Sequence, residues 1–174
     1  MKNPKKWSTL NDYKRSADGE YVYTGGYYAP VDAAAYGGRC RVFACLGVCA
    51  VALVAAQGLL TAGGMKNTFY VLLPFLGEVI SVFLLVWNTV RLLYAGDRMK
   101  RYVYESVTKI IPNALLFLGV FAAAAFVGSV VFLALNGAGE GFAASVLQLA
   151  LEVLASAAGF LLRRYFRRLK WKPV

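Results

Sequence analysis

The 174-residue sequence has no histidine, only nine acidic residues and three cysteines, and charged residues make up just 16% of it. Without histidine it lacks the side chain that titrates near neutrality and most often serves as general base or metal ligand. Cys40, Cys45 and Cys49 form no C-x-x-C pair, and no second cysteine cluster exists for them to bridge to. This argues against a disulfide framework and a zinc site, and the expectation is buried thiols in a helix of small residues. No nucleophile stands with a base at motif spacing, and no Walker sequence or metal-ligand cluster occurs. The sequence therefore predicts a protein that is not an enzyme and carries no cofactor and no metal.

Apolar side chains, by contrast, are in excess. They make up 59% of the chain, more than a soluble domain of this size can bury. Four apolar runs, at about 42–62, 69–90, 111–135 and 142–162, are each long enough to cross a ~30 Å hydrocarbon core as a helix at ~1.5 Å per residue. The predicted fold is an all-α integral membrane four-helix bundle occupying residues 39–162. A polar and aromatic N-terminal tail, 1–38, precedes it and a basic tail, 163–174, follows. The first run begins after Gly37 and Gly38, too far along for a cleaved signal peptide, so the tail is expected to be retained.

Lys and Arg set the expected orientation. Seven lie before the first run, five between Arg91 and Lys109 and six from Arg163 onward, whereas the two short connections hold only Lys66. By the positive-inside rule both ends lie in the cytoplasm, and the chain reads as a multi-pass plasma-membrane protein. Trp87, Tyr94, Tyr102, Tyr104, Tyr165 and Trp171 crowd the same side, where an aromatic belt belongs. The formal charge of +10 is accounted for by this topology, so no nucleic-acid partner is expected.

Glu78 and Glu152 fall near the middle of the second and fourth runs, at similar expected depth. A charge there is costly, ~2.5 to 3.5 kcal/mol on insertion scales, so both carboxyls should face the bundle interior. On the fourth run Ser145, Gln148, Glu152, Ser156 and Gly159 form one stripe at helical spacing; on the second, Gly77, Glu78, Ser81 and Asn88 share a quarter of the circumference. Two readings follow. In one, the polar groups are hydrogen-bonding glue between helices. In the other, Glu78 and Glu152, with Ser81, Asn88, Ser145, Gln148 and Ser156 as neutral ligands, form a proton or cation site. Gln57 lies nearer the outer end of the first run.

The third run carries the small-residue spacings Ala124 to Gly128 and Ala125 to Ser129, a pattern of close helix packing against a neighbour or a second copy. Pro112 and Asn113 are expected to start that helix. Arg91, at the inner end of the second run, is an anchor that snorkels to phosphates. Asn136-Gly-Ala-Gly-Glu-Gly141 reads as a tight hairpin. Arg163, Arg164, Arg167, Arg168, Lys170 and Lys172 continue the fourth helix as a basic amphipathic end whose default partner is anionic lipid headgroups. The tail Glu20-Tyr-Val-Tyr-Thr-Gly-Gly-Tyr-Tyr-Ala29 could form a hairpin around Thr24 to Gly26, although it would need support from a membrane surface or partner.

Two functions fit these features. The first is an accessory or scaffold subunit of a larger membrane protein complex, or a self-associating homo-oligomer. The alternative is a proton- or cation-coupled small-molecule transporter using Glu78 and Glu152.

Overall fold

The computed structural model describes residues 12–15, 20–60, 67–96, 98–137 and 141–174. They form β1 (Tyr13–Arg15), β2 (Tyr21–Tyr23), β3 (Tyr27–Pro30), α1 (Ala33–Leu59), α2 (Phe69–Tyr94), β4 (Met99–Lys100), α3 (Arg101–Asn136), α4 (Phe142–Phe166) and β5 (Trp171–Pro173). All four helices are long and apolar enough to span a membrane. Helices pack as α1–α2, α2–α3, α3–α4 and α1–α4, which sets α2 and α4 on opposite corners of a four-helix bundle. Large apolar side chains such as Phe83, Val127 and Leu161 point outward. This is the reverse of a water-soluble surface, and it is what an integral membrane protein requires. Lys2, Lys5, Lys6, Lys66 and residues 138–140 of the 136–141 connection lie outside the described residues.

The helices approach one another most closely where a side chain is missing. A Cβ on Gly159 of α4 would stand 2.7 Å from the Gly119 amide nitrogen and 2.8 Å from the Leu115 carbonyl of α3. On the other flank of α3, a Cβ on Gly128 would meet the Tyr70 carbonyl of α2 at 2.7 Å. That carbonyl lies four residues before Pro74, which has no N–H to give it. Of the expected small-residue spacings of the third run, Ala125, Gly128 and Ser129 are buried packing positions, joined by Ala122, whereas Ala124 faces outward.

Helix limits differ from the apolar runs. α1 begins at Ala33, nine residues before its run, inside the stretch read as a polar tail. α3 begins at Arg101, so Pro112 lies inside the helix rather than at its start. At ~1.5 Å per residue α3 extends ~54 Å and overshoots a ~30 Å core. Its first turns are built on Val107 and Ile111, which bury in one cluster with Met99, Phe166 and Leu169. A count of consecutive apolar residues misses this amphipathic extension. The orphan amide of Arg101 is taken up by the N-terminal segment, donating to the Gly26 carbonyl at 3.0 Å and to the Tyr23 hydroxyl at 3.1 Å.

A small antiparallel sheet of order β4-β3-β5 caps the end of the bundle. Tyr28 pairs with Met99 on one side and Pro173 on the other. Its ring stacks on Tyr104 of α3, with centroids 3.9 Å apart and planes 8° from parallel. The expected hairpin around Thr24 to Gly26 does not form: β2 pairs back to β1, Tyr23 opposite Tyr13, while β3 takes two other partners. The physical reason is burial, since β3 gains contact with the helices through Tyr28 that a two-stranded ribbon lacks. Nor does α4 continue to the end of the basic tail. It stops at Phe166, and the chain turns so that Leu169 packs into the core and Trp171 lies against Tyr36, Tyr104 and Phe166.

Candidate functional site

The interior of the bundle holds a set of polar side chains removed from the surface: Gln57, Glu78, Ser81, Ser129, Ser145, Gln148 and Glu152. Helical spacing puts Gln148 one turn before Glu152 on α4, and the Gln148 amide donates to Glu152 Oε1 at 2.9 Å. From α3, Ser129 Oγ donates to the same oxygen at 2.8 Å. Two donors converging on one carboxyl oxygen in the buried interior make an oriented contact, one of them between helices. Gln148, Glu152 and Ser129 are thus brought together. Ser129 was legible only as a small packing residue. Its hydroxyl, four residues beyond Ala125 on a buried face, was the available signal for a polar role.

The other predicted ligands are arranged differently. Ser81 donates to the Gly77 carbonyl, Asn88 to Leu84 and Ser145 to Gly141, each one turn back along its own helix. Such back-bonds fix the orientation of each side chain on its own helix, and because they use only the hydrogens they leave the oxygen lone pairs uncommitted. Ser156 instead donates across to the Gly119 carbonyl at 3.0 Å, at the same crossing that Gly159 makes possible. Glu78 and Gln57 are fully buried on α2 and α1. None of four cavities, of about 680, 420, 380 and 130 Å³, has Glu78 or Glu152 in its wall.

At the capped end the chemistry is cationic and aromatic. Arg91 lies over the Trp87 ring at 5.7 Å, and Lys100 Nζ lies 5.8 Å from the Tyr13 ring and 5.3 Å from the Tyr23 ring. Arg164, Arg167, Arg168, Lys170 and Lys172 are exposed around this end, with Arg163 half-buried. The thiols expected to be buried are so only at Cys40; Cys45 and Cys49 fall on the outward face of α1 and are exposed, and all three are free. Compared with known proteins, the chain matches no family model, no curated protein and no solved structure.

Proposed function

We propose that the protein is a non-enzymatic accessory or scaffold subunit, seated in the plasma membrane with its capped end in the cytoplasm and docked onto a larger membrane assembly or a second copy. The capped end is the observation that favours this reading. Three segments remote in sequence are fastened there into one sheet, holding aromatic and basic side chains in place. β2, paired to β1 beside that sheet, presents Tyr21 and Val22 to the outside at 72% and 51% exposure. Exposed apolar groups on a backbone fixed by pairing suit a docking surface better than a solvated tail.

The experiment is isolation of the tagged full chain in mild detergent after cross-linking in cells. A second copy or another membrane protein should be recovered at fixed stoichiometry, and Tyr21→Ser with Val22→Ser should reduce the yield of that complex. A strict monomer with no companion protein would refute the reading.

A proton- or cation-coupled carrier is the second reading, favoured by two fully buried glutamates on α2 and α4. Two carboxyls at one depth and within reach of each other do not both ionise cheaply, and a carrier uses that property. In proteoliposomes this reading expects proton-linked cation flux that Glu152→Gln abolishes while folding is preserved. Absence of such flux from the wild type across a broad set of cations counts against it.

A further inference from the structure

Between α1 and α4, on the outer surface of the bundle, runs an open groove of about 680 Å³. Small residues form it: Cys49 and Ala50 on α1, Ala157 and Ala158 on α4, with Leu46 and Leu161 rising on either side. Its volume is in the range of sites that enclose small molecules. The lining runs along α4 from Leu154 to Arg164, and Arg168, in the turn that follows the helix, completes that end. Ten residues of helix separate Leu154 from Arg164, a rise of ~15 Å, which matches half of a ~30 Å hydrocarbon core. The apolar stretch is therefore one leaflet deep, and the two guanidiniums stand at its headgroup level. Tyr165, also in the wall, donates its hydroxyl to the Arg39 carbonyl at 3.3 Å and ties the two helices together at that end.

We propose that this groove is a binding site for one anionic phospholipid, with an acyl chain along the α1–α4 seam and its phosphate between Arg164 and Arg168. The occupant follows from the groove's two chemistries. The apolar length excludes a free anion as its natural guest, because a phosphate ion would engage only the mouth. The paired guanidiniums distinguish an anionic lipid from a zwitterionic one, whose own cationic group would meet like charge. This goes beyond diffuse attraction of the basic tail to the membrane, since it assigns two of the six tail cations to a site and leaves the other four outside it.

Native mass spectrometry of the delipidated full chain, titrated with phosphatidylglycerol, phosphatidylcholine or inorganic phosphate, tests it. Wild type should retain one phosphatidylglycerol in preference to phosphatidylcholine. Arg164→Gln with Arg168→Gln should weaken that binding on the order of a hundred-fold, because each guanidinium loses a charge-assisted hydrogen bond to the phosphate. Removing two charges elsewhere on the tail, with Arg167→Gln and Lys172→Gln, should leave it within about twofold of wild type. Ala157→Phe, which fills the groove and alters no charge, should weaken lipid binding without changing the response to phosphate. Equal losses in the two charge variants would overturn the proposal in favour of diffuse attraction. So would lack of discrimination between the two lipids by wild type, a measurement that needs no variant to fold. Undiminished lipid binding by Ala157→Phe would reduce the site to a phosphate contact and overturn it as well.

Discussion

Substituting Gly159 with alanine probes the α3–α4 crossing with one carbon atom. That carbon would stand 2.7 Å from the Gly119 nitrogen and 2.8 Å from the Leu115 carbonyl oxygen, both backbone atoms that no rotamer change can move aside. An ordinary contact needs ~3.5 Å, so the helices must part by ~0.8 Å at the crossing. Ser156 Oγ, 3.0 Å from the Gly119 carbonyl at the same place, is then carried beyond hydrogen-bonding distance. Overpacking of this kind costs ~1 to 3 kcal/mol, and an interhelical hydrogen bond in a membrane protein adds ~0.6 kcal/mol. Alanine's better helix propensity returns ~1 kcal/mol, which leaves a net loss of ~2 kcal/mol. Reversible unfolding in mixed detergent micelles reads this directly. Gly38→Ala is the control, because nothing lies within 4 Å of a Cβ there. The double variant with Ser156→Ala should lose less than the sum of the two single losses, since the alanine at 159 already breaks the serine's bond. If Gly159→Ala proves no less stable than Gly38→Ala, the close crossing does not exist.

Further outcomes follow from other contacts. Glu152→Leu leaves the Ser129 hydroxyl and the Gln148 amide without their acceptor and should lower stability by ~1 to 3 kcal/mol in the same assay, with Glu152→Gln losing less. Burial pushes the Tyr23 phenol above its ordinary value, so the folded chain holds that proton more tightly than the unfolded one. Its contribution is complete below the unfolded value of ~10 and is lost as pH rises through that region; alkaline unfolding followed by tyrosinate absorbance should show a dependence that Tyr23→Phe removes. A reporter fused after Val174 should be active only in the cytoplasm, and activity on the opposite side would reverse the proposed orientation.

Sequence alone located the four spans because a run of some twenty apolar residues has few other uses. It also placed Glu78 and Glu152 inside, since the cost of a carboxyl facing lipid leaves little choice. The first ten residues of α3 escaped notice for a related reason. They mix polar side chains with Val103 and Val107, and what they bury against is Met99, Phe166 and Leu169, a surface supplied by other parts of the chain. The β4-β3-β5 sheet was illegible for the same cause. Strands of two to four residues carry almost no local signal, and their pairing is decided by which segments the helices bring to one end. Within the polar interior, spacing placed Gln148 and Glu152 on one stripe a turn apart, where they meet, whereas Ser129 needed the relative rotation of α3 and α4, set by Gly119 and Gly159.

The pairing of β3 with β5 also sets an order of events during synthesis. β3 leaves the ribosome before any of the helices, and β5 follows all four, so the earlier strand must wait for nearly the whole chain before its second partner exists. Contacts of such long sequence separation form late. The helices must therefore be inserted and matched without the complete sheet, and its closure then joins a segment ahead of the four helices to one behind them. Until that moment Tyr28 and its neighbours on β3 offer unpaired backbone to whatever strand is at hand, a nascent chain's exposed edge in need of protection.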